Sequence, residues 1–218
     1  MNKYLNELDA KQFLSSYGVP MAKSRKAADK KELLQALEEM EFPLVMKVLS
    51  SEILHKTEAG CVFLGVKKEE AEEVFDRILS NAGKYAPDAA VDGVLLQEMA
   101  PSGLEVIIGM NKDPQFGPVL MVGMGGIYVE VFKDVALRLL PVTESEVRRM
   151  LKETRLYSII QGARGTWYDE SELVKTLLKV AKLVQEHPEV EEIDINPLFL
   201  YEEGKGGKGV DALIRVAE

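Results

Sequence analysis

The first half of the chain alternates amphipathic helical segments with short apolar strands. Three segments carry apolar residues every three or four positions, which predicts helices. Between them lie continuous apolar runs bounded by turn residues, typical of buried strands. The predicted helices cover 5–17, 29–40 and 68–84, and the predicted strands cover 42–49, 61–66 and 93–99.

The second half of the chain has a different hydrophobic pattern, in which short apolar segments follow one another with turn residues between them. This pattern is typical of antiparallel strands. A capping box at 143–146 predicts a helix to about residue 154, and a long apolar stripe predicts another over 169–186. The predicted strands are 104–110, 118–122, 127–132, 136–140, 192–200 and 209–216. The order indicates an α+β fold whose two lobes meet near residues 97–103.

Composition narrows the class of protein. Of 218 residues 46% are hydrophobic, enough for a sizeable core, and the net charge of −9 disfavours binding to a nucleic-acid backbone. The chain has no apolar run of the ~20 residues that a bilayer span needs, and its polar N-terminus does not look like a signal peptide. We therefore expect no membrane partner and a cytoplasmic location. One cysteine and two histidines exclude an internal disulfide and disfavour zinc.

Lys47 and the segment that follows it are the first candidates for chemistry. Lys47 lies inside the apolar run 42–49, where a buried ammonium group needs an anionic partner such as a phosphate. The alternative is a lysine on an edge strand that discourages aggregation. The polar segment 50–60 carries His55, which is either an exposed nucleophile or an ordinary surface histidine. Arg164, between glycines at 161–167, suits phosphate oxygens or simply solvent.

A second group of candidates lies at the ends of later strands. Gln97, Glu98 and Met99 end a predicted strand, and Glu105 follows, so this stretch can offer backbone groups to a base and an acceptor to ribose. Surface glutamates are common, so the alternative is a polar surface.

The segment 192–197 is the best metal candidate in the sequence. Asp194 and Asn196 share one face of a predicted strand, and Asp211 can return beside them on the paired strand. Such oxygen ligands suit Mg²⁺. The alternative is a polar strand face.

Four ordered blocks resemble one known family. They are FPLVMKVLSSEILHKTEAGCV, DPQFGPVLMVGMGGIYVEVFKDVALRLLP, GARG and EIDINPL. The sequence resembles the nucleotide-binding beta subunit of ADP-forming acetate–CoA ligases, which are acyl-CoA synthetases of the ATP-grasp class related to the beta chain of succinyl-CoA synthetase. Where that family has a second glycine before the strand, this sequence has Cys61.

The resemblance implies an ATP-grasp domain over 1–218, with a smaller lobe (20–96) and a larger lobe (97–218) that hold ATP or ADP between them. It implies that Lys47 binds nucleotide phosphates. It also implies adenine at Gln97, Glu98 and Met99, ribose at Glu105, and Mg²⁺ at Asn196 and Asp211.

For catalysis the resemblance implies three residues. His55 relays a phosphoryl group to ADP, Asp194 lies near the phosphohistidine, and Arg164 offsets phosphate charge. The implied reaction is acyl-CoA, ADP and phosphate to acid, CoA and ATP, reversibly. A CoA-binding alpha subunit, in an α₂β₂ assembly, is the implied partner. The alternatives are an ATP-grasp carboxylate ligase that forms an acyl phosphate directly, without His55, and a non-catalytic nucleotide-binding regulatory module.

Overall fold

The computed structural model of the protein describes residues 2–126, 134–163 and 165–217. The predicted strand 127–132 and the candidate residue Arg164 therefore lie outside the described residues. Among the described residues, no helix is both long enough and apolar enough to cross a membrane.

The chain forms two compact units. The small unit comprises Tyr4–Asp9 and Ala22–Met99, and the large unit comprises Met1–Lys3, Ala10–Met21 and Ala100–Glu218. The described helices are α1 (Glu7–Ser16), α2 (Lys30–Glu39), α3 (Ala71–Tyr85), α4 (Glu144–Lys152), α5 (Arg155–Ile160) and α6 (Glu170–Glu186). The described strands are β1 (Asn2–Tyr4), β2 (Ser24–Ala27), β3 (Leu44–Leu49), β4 (Val62–Val66), β5 (Gly93–Glu98), β6 (Leu104–Asp113), β7 (Gly117–Met124), β8 (Val135–Leu139), β9 (Val190–Leu200), β10 (Gly207–Gly209) and β11 (Leu213–Ala217).

The small unit is an antiparallel sheet in the order β2-β5-β3-β4, covered on one face by α2 and α3. Leu44, Met46 and Val48 of β3 point into the core beneath these helices. Side chains alternate along a strand, so Lys47 belongs to the opposite face of β3. Because β3 has a partner strand on each side, the interpretation of Lys47 as an edge-strand lysine is wrong.

The described residues of the large unit form a seven-stranded sheet, in which the pairings from β11 to β8 and that of β10 with β9 are antiparallel. Its order is β1-β11-β9-β6-β7-β8, and β10 also pairs with β9. The helices α4, α5 and α6 pack against β7, and α4 also against β8. The central strands β6 and β9 thus form the framework that carries most of the candidate residues of this unit.

Three elements of the large unit differ from the predictions, and the first is the strand β1, which was not predicted. The segment 209–216 is not one strand, since β10 ends at Gly209 and β11 begins at Leu213. The partner strand explains the break, because Pro197 of β9 has no N–H to donate to the ladder. The short helix α5 was not predicted at all. Its first amide groups are held by a distant side chain, since Asp134 accepts hydrogen bonds from Arg155 N–H (2.9 Å) and Leu156 N–H (3.0 Å).

Asp169 fastens the glycine-rich loop that joins β9 to β10. Its Oδ1 accepts a hydrogen bond from Glu172 N–H at the start of α6, at 3.0 Å. Its Oδ2 accepts from Gly204 N–H (3.1 Å) and Gly206 N–H (3.0 Å). The Asp169 carboxylate therefore both caps a helix and holds the loop. The glycine-rich composition of that loop, taken alone, predicts a flexible segment.

We expect Asp169→Asn to destabilise the protein more than the matched change Asp29→Asn. An asparagine can still cap a helix, but its NH₂ group cannot accept from Gly204 and Gly206, which removes two charge-assisted bonds worth about 2 kcal/mol together. Within the described residues, the Asp29 side chain caps α2 through Glu32 N–H alone. Its asparagine variant should therefore lose only a few tenths of a kcal/mol in the free energy of unfolding. Urea unfolding of both variants measures the difference, and equal losses would show that the loop contacts contribute nothing.

Candidate functional site

Lys47 is buried on the interior strand β3, and its partner is a carboxylate from the start of α1. The Lys47 Nζ lies 2.8 Å from Glu7 Oε1, and the two side chains are 9% and 1% exposed. An isolated ammonium group in such a position would be very unfavourable. The ion pair therefore compensates the burial of the Lys47 ammonium group inside the small unit.

The same carboxylate engages a second lysine. Lys56 Nζ lies 3.0 Å from Glu7 Oε2, and the Lys56 side chain is only 13% exposed. Glu7 thus joins two ammonium groups, one on a central strand and one in the segment that carries His55. Sequence reasoning missed both Glu7 and Lys56. A signal was present, because Glu7 stands three and seven residues before the buried Ala10 and Leu14, on the buried stripe of α1.

His55 is exposed to solvent on a turn whose two ends are fixed by hydrogen bonds. Its imidazole is 73% exposed, and its Nδ1 lies 3.7 Å from Glu58 Oε1. On the N-terminal side, Ser50 Oγ donates to Ala90 C=O (2.6 Å) and accepts from Ile53 N–H (3.2 Å), and Ile53 is buried. An exposed imidazole on a fixed support is the arrangement that a nucleophile requires.

The C-terminal end of this turn is closed by backbone hydrogen bonds. Ala59 N–H donates to His55 C=O (3.1 Å), and Cys61 N–H donates to Lys56 C=O (2.9 Å). Gly60 adopts φ +64°, a conformation that favours glycine, and Asn81 Nδ2 donates to its carbonyl at 2.7 Å. The Cys61 side chain is fully buried, which raises the pKa of its thiol.

The end of β5 places the three predicted adenine-contacting residues in different environments. Gln97 is buried, whereas Met99 is 44% exposed. The Glu98 Oε1 lies 3.1 Å from Lys23 Nζ, and the backbone of Glu98 donates to Lys23 C=O at 3.0 Å. The three residues therefore offer one buried amide, one paired carboxylate and one exposed apolar side chain.

In the large unit, Glu105 and Asn196 approach the same glycine. Gly126 has φ +65°, a conformation that favours glycine, and a Cβ placed on it would meet the carboxylate end of Glu105. The Gly126 N–H donates to Asn196 Oδ1 at 3.4 Å. The neighbouring Gly125 N–H donates to Glu105 C=O at 2.8 Å. The glycine-rich block thus brings the predicted ribose acceptor and a predicted metal ligand to one place.

Asp211 lies in the break between β10 and β11, and the register of the two strands identifies its neighbour. Gly209 pairs with Leu198 before the break, and Leu213 pairs with Asp194 after it. The same register continued through the break puts Asp211 opposite Asn196. The sequence prediction that Asp211 returns beside Asn196 on a regular strand is thus modified, because the two face each other where the ladder is interrupted.

Asp194 is a buried carboxyl group among other acidic groups. Burial, together with the negative charges of Asp211 and Glu192, raises the pKa of Asp194 to about 6. Its Oδ1 is buried and has no hydrogen-bond partner among the described residues. On the same side, Asp194 and Glu192 line a cavity of about 480 Å³ together with residues of β6, β7 and β8. A cation or a proton is the natural complement of such a carboxylate.

The donor set fits Mg²⁺ rather than a transition metal. Within the described ranges, no group of three or more His, Cys, Asp or Glu side chains is arranged to hold a metal ion. Mg²⁺ commonly takes only one or two protein carboxylates, with water and substrate phosphates as further ligands. The oxygens of Asn196 and Asp211, beside the orphan oxygen of Asp194, meet that requirement.

We predict that Asp194→Asn stabilises the protein at neutral pH in the absence of Mg²⁺. Because the folded-state pKa of about 6 exceeds the ordinary value of 3.8, the folded protein binds the extra proton, and stability falls as pH rises through this interval. The asparagine carries no charge, so its advantage should be nil below pH 4 and reach up to about 3 kcal/mol above pH 7. Thermal unfolding at pH 4 and pH 8 tests this. An equal or lower stability of the variant at pH 8 would contradict it.

This chain is similar to known proteins in both sequence and fold. A family model described as an ATP-grasp domain matches residues 1–216. The beta subunit of acetate–CoA ligase [ADP-forming] II of Pyrococcus furiosus is 44% identical over 211 residues, which are 95% of this chain and 89% of that subunit. A crystal structure from Pyrococcus horikoshii has a TM-score of 0.95 and 42% identity, covering 99% of this chain and 92% of that one.

The acetyl-coenzyme A synthetase 1 of Candidatus Korarchaeum cryptofilum is similar in several solved states. Its complex with coenzyme A and Ca-AMPCP has a TM-score of 0.92 and 38% identity, covering 99% of this chain and 94% of that one. A second structure, with a TM-score of 0.84 and 35% identity over 99% and 93% of the chains, contains coenzyme A and Mg-AMPPCP. It is described with its phosphohistidine segment pointing towards the nucleotide binding site. The chain therefore belongs to the ATP-grasp family, as a member of the beta subunits of ADP-forming acetate–CoA ligases.

Proposed function

We propose that this chain is the nucleotide-binding subunit of an ADP-forming acyl-CoA ligase and that His55 carries the phosphoryl group. The observation that carries the proposal is the exposed imidazole of His55 on a turn that is anchored at both ends. The related synthetase with a phosphohistidine segment supports the same role. Its partner is proposed to be a CoA-binding alpha subunit, in an α₂β₂ assembly.

The proposed step moves one phosphoryl group in two balanced transfers. A neutral ring nitrogen of His55 attacks the phosphorus of the donor phosphohistidine on the partner subunit, so that one N–P bond forms as the other breaks. An oxygen of the ADP β-phosphate then attacks the same phosphorus. The N–P bond to His55 breaks, ATP leaves, and the imidazole is restored. In the reverse direction, His55 takes the γ-phosphoryl group from ATP.

Nucleotide binding is assigned to residues of each unit. Lys47 offers its ammonium group to the phosphates, Gln97, Glu98 and Met99 contact adenine, and Glu105 accepts from ribose hydroxyl groups. Phosphoryl transfer depends mostly on positioning and on charge neutralisation, which these residues supply. Arg164, outside the described residues, stays a prediction as a further phosphate ligand.

Asn196 and Asp211 are proposed to hold Mg²⁺. The ion, when bound, supplies positive charge next to the phosphate oxygens. The support is the facing register of the two residues and the buried, orphan carboxylate oxygen of Asp194 beside them. We propose that Asp194 then acts near the phosphohistidine as a fixed negative charge.

The role of His55 predicts a specific phosphoenzyme. Incubation of the chain and its partner subunit with γ-labelled ATP and Mg²⁺ should give an acid-labile, base-stable label. His55→Ala should reduce the label to background, since the imidazole of His55 is the proposed acceptor of the phosphoryl group. The other histidine provides the matched control, and His187→Ala should retain the label.

The outcomes also separate the alternatives. A carboxylate ligase that forms an acyl phosphate directly would turn over normally with His55→Ala. A regulatory module would bind nucleotide and take no label in any variant. Either result would contradict the proposed relay.

The proposed metal site predicts a changed Mg²⁺ requirement. Asp211→Asn should raise the Mg²⁺ concentration for half-maximal nucleotide binding at least about tenfold, since even indirect partners of a metal contribute 10–100-fold. Glu192→Gln makes the same chemical change nearby, in a residue paired with Arg215 at 2.9 Å, and should leave the requirement unchanged. Calorimetric nucleotide titrations at several Mg²⁺ concentrations measure both. Equal shifts in the two variants would indicate a general loss of negative charge.

A further inference from the structure

Glu7 joins the proposed phosphate-binding lysine to the turn that presents His55. Its two carboxylate oxygens go to different ammonium groups, Oε1 to Lys47 at 2.8 Å and Oε2 to Lys56 at 3.0 Å. The Glu7 side chain is 1% exposed, so these contacts are made away from water. Removing one partner of such a buried ion pair strongly destabilises the folded protein, because the other charge is left buried and unpaired.

Lys56 is the residue through which this carboxylate reaches the turn. It follows His55 directly, and its carbonyl accepts from the N–H of the buried Cys61 at 2.9 Å. Its backbone is therefore tied to the core of the small unit and its side chain to α1. Among the described residues, the His55 imidazole makes only a longer contact, 3.7 Å to the exposed Glu58. The orientation of the imidazole thus depends on the neighbouring lysine more than on contacts of its own.

We infer that Glu7 is a positioning residue that holds the His55 turn through Lys56. This inference rests on the proposed function of His55.

The rate of tryptic cleavage at the Lys56–Thr57 bond measures, independently of catalysis, how firmly Glu7 holds Lys56. Trypsin cuts after lysine, and the Lys56–Thr57 bond becomes accessible only when the side chain of Lys56 leaves Glu7. In the full chain, Glu7→Gln should speed cleavage at Lys56–Thr57 at least about tenfold, because cleavage follows the population of the open form. The matched control is Asp76→Asn, which removes an exposed ion pair with Lys30 in the same unit and should cut at the wild-type rate.

Substitutions of Lys56 separate positioning from a merely structural role. In the complex with the partner subunit, Lys56→Met should slow labelling of His55 at least about tenfold, since misplacing a reacting group is costly in rate. The dissociation constant for ATP should remain as in the wild type, because Lys47 is untouched. Lys56→Arg keeps the charge and should restore the labelling rate. A general loss of structure would weaken ATP binding as well, and Lys56→Arg would not rescue it.

Each result decides one point. Faster cleavage of Glu7→Gln together with slow labelling of Lys56→Met supports the inference. Wild-type cleavage of Glu7→Gln, or wild-type labelling of Lys56→Met, overturns it and leaves the proposed function intact. Should Glu7→Gln fail to fold, the Lys56 variants decide alone. If the wild-type protein takes no label, the proposed function fails, and the cleavage comparison alone supports or overturns the hold of Glu7 on the turn.

Discussion

The small unit depends on the neutralisation of one buried ammonium group. Lys47 stands on an interior strand, where its side chain is largely shielded from bulk water. Glu7, at the start of α1, compensates the burial of this ammonium group. That carboxylate in turn fixes Lys56, and with it the start of the turn that displays His55. The need to neutralise the Lys47 ammonium group thus links the start of α1 to the loop that carries His55.

The large unit concentrates negative charge along β9 and the chain that pairs with it. Side-chain alternation puts Glu192, Asp194 and Asn196 on one face of β9. Pro197 then interrupts the ladder, so that the opposing chain passes Asp211 across from Asn196 without regular strand geometry. Burial of Asp194 among these charges raises its pKa and leaves one of its oxygens without a hydrogen bond among the described residues. Such an arrangement is unfavourable without a counter-charge, so it favours a cation.

These two charge patterns suit a polyphosphate substrate that binds with a divalent ion. Ammonium groups complement phosphate oxygens, and carboxylate and amide oxygens complement the metal. The proposed carrier, His55, needs neither a buried environment nor a perturbed electrostatic setting to act as a nucleophile. It needs a fixed support, and the hydrogen bonds of Ser50, Ala59 and Cys61 provide one.

The sequence by itself determined the elements whose causes are local. Apolar periodicity identified α1, α2, α3 and α6, and the apolar runs identified β3, β4 and β5, since period and capping residues act within a few positions. The four motif blocks were also enough to indicate the family. Only the tertiary structure decided features that join distant residues. Examples are Glu7 with Lys47 and Lys56, Asp134 at the start of α5, and the break that puts Asp211 opposite Asn196. Each depends on a partner at least 21 residues away, or on a strand register, and no local pattern encodes a contact of that kind.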